Sequence, residues 1–280
     1  MSPNLVQIRA EVGRALAEDV GSGDVSALLV PDDVPVRAEI ISREPMLVCG
    51  QLWVNEVFKQ IDAKTEINWH VTEGDFLKMP ATLSTISGKA RSILTAERTA
   101  LNFLQTLSAT ATQTYQYVQL LKGTKTRLLD TRKTIPGLRL AQKYAVTCAG
   151  GVNHRIGLYD AFLIKENHIR ACGSVANAIA LARQANQKLF VEIEVETLQE
   201  LAEALAAHPD RILLDNFGRE MLLEAVAMNH SKSCTLEASG GVTLSNIAQI
   251  AATGVDFISV GAITKSIQAI DLSLLIREVL

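Results

Sequence analysis

The residues able to do chemistry in this 280-residue chain gather at the ends of short apolar runs. LLDTRK closes on Asp130, Thr131, Arg132 and Lys133, and FLIKEN on Lys165 and Glu166. VEIEVE carries Glu192, Glu194 and Glu196, and ILLDN ends near Asp215. LEASGG supplies Glu237, Ser239, Gly240 and Gly241, and ISVGA supplies Gly261. On a strand, the glutamates of VEIEVE share one face and Val191, Ile193 and Val195 the other. With the apolar face against helices, the carboxylates point inward, where an unpaired charge is costly and cations or a metal must answer it. Lys165 and Asp215 are expected to face the same interior. Any one of these residues is equally well read as a structural ion pair. The whole set, all at one end of the strands, points to a site.

The densest cationic stretch is LDTRKTIPGLRLAQKYAVTCAGGVNHR, with Arg132, Lys133, Arg139, Lys143, His154 and Arg155. Arginine presents a planar fork that matches carboxylate and phosphate oxygens two at a time. Such cations beside interior acids suit a substrate with several negative groups and a bound metal. Arg139 and Lys143, four apart on a helix, read more simply as a solvated face. Ser239-Gly240-Gly241 precedes a helix expected from about Thr243, and Gly261 ends the next strand. Glycines there let backbone N–H groups approach an anion, and late barrel strands often build a phosphate site this way; a Gly-Gly turn alone reads as ordinary turn chemistry, and it is the pairing on adjacent strands that points to an anion.

These groups need a scaffold that brings strand ends together. From Lys125 onward, strand-like TRLLDT, AFLIKEN, FVEIEVE, RILLDN, TLEASGG and FISVGA alternate with helix-like runs. One of these helices, ETLQELAEALAAH, opens with a capping box from Thr197 to Glu200 and is expected to bury Leu198, Leu201, Ala202 and Leu205. About six βα units in a row favour a barrel with a parallel sheet over an open doubly wound sheet. The first hundred residues are an α+β pattern: a short amphipathic helix marked by Leu5, Ile8, Val12 and Leu16, then a glycine-rich loop, strands, and a helix over QLWVNEVFKQID. A long helical region from about Arg91 to Lys122, broken near Leu107–Thr110, joins the halves. Leu272, Leu275, Ile276 and Val279 predict a short helix over Asp271–Leu280.

Composition excludes several classes. The net charge of −3 gives no global pull toward nucleic acid or an anionic membrane. No apolar run is long enough to span a bilayer, and the start lacks the pattern of a signal peptide. Cys49, Cys148, Cys172 and Cys234 form no CxxC pair, and the histidines are not spaced around them as zinc ligands. Reduced, mostly buried thiols in a cytoplasmic protein are expected.

Taken together, EDVGSGDVS, LTAERTALNFLQTLSATAT, LLDTRKTIPGLRLAQKYAV, GGVNHRIGLYDAFLIKENH, VEIEVE, ILLDN, ASGGV and FISVGAIT resemble the quinolinate phosphoribosyltransferase family along essentially the whole chain. The resemblance implies a decarboxylating transfer from phosphoribosyl pyrophosphate to quinolinate in NAD biosynthesis. It implies an N-terminal α/β sandwich domain over 1–108, completed by a C-terminal helix over 269–280, and an open α/β barrel of TIM-like type over 109–268. It also implies a homodimer whose sites are shared, with Arg98 reaching across. Arg132, His154 and Arg155, beside Thr131, are implied as holders of the quinolinate carboxylates. Lys133 and Lys165 are implied at pyrophosphate and substrate, and Glu194 and Asp215 at Mg2+ and the ribose. Ser239, Gly240, Gly241 and Gly261 are implied as the 5-phosphate cradle. One departure is Ala149, where the family pattern leads one to expect another glycine. The alternatives are the ModD-type proteins of molybdenum-transport operons, a non-catalytic anion-binding homologue, and a lyase using Lys165 as a Schiff-base nucleophile.

Overall fold

A computed structural model describes residues 4–280. In chain order it contains α1 (Leu5–Asp19), a 3-10 turn (Ala27–Leu29), β1 (Pro35–Ser42), β2 (Met46–Leu47), α2 (Gln51–Ile61) and β3 (Glu66–Trp69). Next come β4 (Phe76–Leu77), β5 (Ala81–Lys89), α3 (Ala90–Leu120), β6 (Arg127–Leu129), α4 (Arg139–Cys148) and β7 (Ala161–Ile164). They are followed by α5 (Glu166–Cys172), α6 (Val175–Ala185), β8 (Phe190–Val195), α7 (Leu198–Ala207), β9 (Arg211–Asp215) and α8 (Arg219–Met228). The chain ends with β10 (Thr235–Ser239), α9 (Ile247–Ala251), β11 (Phe257–Ser259), α10 (Ala262–Lys265) and β12 (Leu272–Val279).

Two compact units result. The first comprises the chain up to Tyr115, then Ile135–Gly150 and Thr264–Leu280; the second is Gln116–Thr134 with Gly151–Ile263. Thus Ile135–Gly150, which carries α4, groups with the first unit although it follows the first barrel strand.

The first unit is built on an antiparallel sheet of order β12-β1-β5-β3. Asn4 caps α1, its side chain accepting from the Val6 amide. Ile8, Val12 and Leu16 of α1 are buried, whereas Leu5 is exposed. Trp53 on α2 donates its indole N–H to Glu11 of α1 at 2.8 Å, which satisfies a buried carboxylate. Glu73 accepts the amides of Gly50 and Gln51 at the start of α2, and Cys49 and Cys148 gather around it.

The structure departs from three expectations. The C-terminal segment is strand β12, not a helix, and pairs antiparallel with β1 over Leu272–Val279. Its first half buries Leu272 and Leu274 while Ser273 is only partly buried, a period of two. Helix α3 is unbroken through Leu107–Thr110. Ser108 Oγ there bonds the backbone of Cys49, and Thr110 and Thr114 bond back to carbonyls four residues earlier, so the hydroxyls are satisfied without a break. Lys143 on α4 is fully buried rather than part of a solvated face.

The second unit is a parallel sheet of order β6-β11-β10-β9-β8-β7. The first strand in sequence pairs with the last, as in a barrel, and the sheet stays open between β6 and β7. This is the open α/β barrel expected from the repeated βα units. On α7, Thr197 accepts from the Glu200 amide and the Glu200 carboxylate accepts from the Glu196 amide. That helix buries Leu201 and Ala204; Ala202, expected inside, is exposed. Among the described residues, no helix is long and apolar enough to cross a membrane.

Candidate active site

The barrel's inward residues follow from the two-residue period of its strands. On β8 this selects Glu192 and Glu194, on β9 Arg211, Leu213 and Asp215, and on β10 Glu237 and Ser239. They form two tiers.

The upper tier opens into a cavity of about 460 Å³. Thr131, Arg132 and Lys133 line one part of it, with His154 and Arg155. Lys165, Glu194, Asp215 and Ser239 line another. Nine of the expected site residues therefore meet in one hollow, by the lining itself. Lys165 lies just past β7, and its ammonium is 2.5 Å from Glu194 Oε2. The Lys165 amide donates to His168 Nδ1, which holds this residue at the start of α5. Asp215 ends β9 and accepts from the Asn216 side chain at 2.7 Å. Arg132 Nε is buried with no hydrogen-bond partner among the described residues. A buried donor of this kind calls for an anion from outside the chain. Burial, and then the positive charge of Arg132, lower the pKa of Arg155.

The glycines sit beside this hollow. Gly240 and Gly241 form the turn after β10, both with positive φ (98° and 59°). A Cβ on Gly240 would fall 2.1 Å from Asn216 Oδ1, and one on Gly261 would fall 3.0 Å from Lys133 Cδ. The helix expected from Thr243 begins only at Ile247 and has five residues, because Asn246 Oδ1 accepts the Thr243 amide in a turn. A long helix dipole is therefore not part of this corner. Arg98 is on α3 in the first unit; its side chain is 57% exposed, 3.7 Å from Glu97. It does not line the cavity.

The lower tier was only partly legible. His154, Glu192 and Glu237 place ligand-capable atoms within 4.8 Å of one another, a grouping that sequence spacing hides. Arg211 lies 3.1 Å from Glu237 and is stacked between Phe190 and Phe257, at 5.3 and 4.1 Å from their ring centres. Ser259, Leu163 and Leu213 also line the cavity. The alternation applied to VEIEVE, extended to FISVG and RILLD, would have found Ser259 and Leu213.

Burial, reinforced by Glu192, pushes Glu237 up to about 8 against the opposing pull of His154 and Arg211. The ordinary value is 4.5, so below that pH both folded and unfolded chains hold the proton and no stability is lost. As pH rises from about 4.5 to about 8 the unfolded chain ionises first, and stability falls. Glu237→Gln is therefore expected to melt several degrees above the wild type at pH 8 and close to it at pH 4.5, at roughly 2–4 °C per kcal/mol. Melting curves across that range test this; a difference independent of pH would contradict it.

The carboxylates Glu194 and Asp215, on neighbouring strands, are hard oxygen donors facing one cavity. Magnesium is commonly bound by one or two carboxylates together with substrate phosphates, so the donor set fits it.

A family model for the quinolinate phosphoribosyl transferase N-terminal domain matches residues 24–108, and one for the C-terminal domain matches residues 110–275. The chain is 42% identical over 274 residues to nicotinate-nucleotide pyrophosphorylase (carboxylating) of Mycobacterium leprae, covering 95% of this chain and 96% of that one. It is 37% identical over 272 residues to a probable nicotinate-nucleotide pyrophosphorylase (carboxylating) of Bacillus subtilis, covering 97% and 94%. The solved structure of nicotinate-nucleotide pyrophosphorylase from Francisella tularensis superposes with a TM-score of 0.95 at 50% identity, covering 99% of this chain and 98% of that one.

Proposed function

Because the chain belongs to the quinolinate phosphoribosyltransferase family, we propose that it joins quinolinate to phosphoribosyl pyrophosphate, giving nicotinate mononucleotide, pyrophosphate and CO2 in NAD biosynthesis. One observation carries the reading beyond family membership. Arg132, with an unpartnered buried Nε, shares a cavity with Arg155 and Lys133 and with the Lys165–Glu194 pair. Quinolinate brings two carboxylates and the phosphoribosyl donor brings phosphates, which match these cations in kind.

In this reading Arg132 and Arg155, beside Thr131 and His154, hold the quinolinate carboxylates. Ser239, Gly240, Gly241 and Gly261 receive the 5-phosphate through backbone N–H groups. Lys133 and Lys165 face the leaving pyrophosphate, and Glu194 faces the anomeric carbon, where positive charge develops. The pyridine nitrogen bonds to that carbon as pyrophosphate departs. The quaternised ring then accepts the electron pair of the C2–carboxylate bond as CO2 leaves, and a proton from solvent takes the vacated position at C2. Glu194 and Asp215 would hold Mg2+, which supplies charge neutralisation for the pyrophosphate. The ion pair at 2.5 Å engages the Lys165 ammonium and weighs against the Schiff-base lyase alternative.

The enzyme is further read as a homodimer in which Arg98 completes the partner's site. The cytoplasmic reading is supported by four unpaired cysteines, of which Cys49 and Cys234 are buried. The test is one assay with Mg2+, phosphoribosyl pyrophosphate and carboxyl-labelled quinolinate. Labelled CO2 and nicotinate mononucleotide should form in equal amounts. A folded protein that forms neither returns the ModD-type or non-catalytic binding alternatives.

Gly240→Ala tests the phosphate corner. A methyl group 2.1 Å from Asn216 Oδ1 at φ 98° must displace the Asn216 loop. The expected outcome is a KM for phosphoribosyl pyrophosphate raised about tenfold or more, with a stability loss of roughly 1–3 kcal/mol. Gly241→Ala meets nothing within 4 Å, and is expected to cost less in both measurements. Equal effects of the two substitutions would argue against the cradle.

A further inference from the structure

His154 heads the lower tier, and its surroundings specify where its proton lies. The Arg155 amide donates to His154 Nδ1 at 2.7 Å. A ring nitrogen that accepts an N–H carries no proton of its own, so the proton resides on Nε2. Nε2 in turn lies 2.9 Å from Glu192 Oε2 and 3.7 Å from Glu237 Oε2. The backbone is pinned as well. Asp130, fully buried, accepts the His154 amide at 2.8 Å and the Asn153 side chain at 2.6 Å. Beneath, Arg211 contacts Glu237 at 3.1 Å while Phe190 and Phe257 flank its guanidinium. The imidazole donor is thus aimed at the barrel's buried acids, and its acceptor is used by the next residue's amide. Its side chain is only 8% exposed.

We propose that Glu192 is a positioning residue that holds His154 as the neutral Nε2–H tautomer, so that His154 orients Arg155 instead of binding substrate with its own N–H. This rests on the quinolinate reading above for the identity of the anion that Arg155 meets. It changes the division of labour within the cationic wall. Arg132 and Arg155 carry the carboxylates, and His154 fixes the backbone from which Arg155 extends. Glu192 contributes a hydrogen-bond acceptor, and Glu237 with Arg211 supports it from below. A protonated imidazolium would place an N–H on Nδ1 against the Arg155 N–H, and the contact at 2.7 Å leaves no room for two hydrogens.

The protein contains five histidines, few enough for one long-range proton–nitrogen spectrum of the 15N-histidine-labelled full chain. His154→Gln assigns the signal. At pH 7.5 His154 is expected as the Nε2–H tautomer, and to stay so when quinolinate is added. A signal from the Nδ1–H tautomer or from imidazolium would overturn the proposal. Calorimetry then reads the consequence. Glu192→Gln keeps an acceptor and is expected to bind quinolinate within about threefold of the wild type, whereas Glu192→Leu is expected to weaken it about tenfold or more. Binding of phosphoribosyl pyrophosphate with Mg2+ should change by less than about threefold in both. Unchanged quinolinate binding in the leucine variant, or equal loss of both ligands, would overturn the positioning role. If the leucine variant does not fold, the spectra of the wild type and Glu192→Gln decide. Failure of the wild type to bind quinolinate would sink the substrate reading alone, because the tautomer is read without any ligand.

Discussion

Lys165→Ala is expected to lower kcat/KM by roughly 100- to 1,000-fold, about 3–4 kcal/mol of transition-state stabilisation. The Lys165 ammonium is 2.5 Å from Glu194, whose side chain is only 11% exposed. Truncation removes a cation that lines the cavity and leaves the Glu194 carboxylate without the ammonium 2.5 Å away, so two members of the proposed site fail together. The fold should not notice. Lys165 stands beyond the last residue of β7 and its own side chain is 44% exposed, and partly exposed ion pairs contribute little to stability. Steady-state kinetics with a melting curve check both halves. A variant within tenfold of the wild type would remove Lys165 from the mechanism. Arg132→Ala should behave alike, since its buried Nε has no hydrogen-bond partner to lose among the described residues.

The second large effect is a recovery. Arg98→Ala and Arg155→Ala should each be close to inactive alone. If the chain is the proposed homodimer, the two variants mixed so that subunits exchange should regain about a quarter of wild-type activity. Random pairing makes half the dimers mixed, and in a symmetric dimer each mixed pair assembles one intact site of two. The exposed Arg98 side chain, 3.7 Å from its neighbour Glu97, is the observation that motivates the test. Verified mixed dimers without recovery would show that each site is complete within one chain.

The six barrel strands and most of the cavity lining were readable because both follow a strict rule. Alternation on a strand assigns faces, and barrel chemistry collects at strand ends, so Lys165, Glu194, Asp215 and Ser239 fell together on inspection of the runs alone. The errors share a different origin. Leu272, Leu275, Ile276 and Val279 fit a helical period, yet the segment also carries the shorter alternation Leu272–Ser273–Leu274. Local pattern leaves that choice open, and it is decided by the pairing edge of β1, more than two hundred residues away. The supposed break in α3 has the same character, since Ser108 is satisfied by the backbone of Cys49 from another part of the chain.

What the amino-acid sequence determined by itself was the barrel's strand scaffold, the inventory of charged groups and the end of the barrel on which they lie, because each depends on residue type and on separations of one to four positions. What only the tertiary structure decided was how those groups share protons and partners. The bond from the Arg155 amide to His154 Nδ1 is local, but the acceptor for Nε2 comes from β8 and the support beneath it from β9 and β10. Electrostatic coupling falls with distance in space and grows with burial, and neither quantity is written in the spacing of residues along a chain.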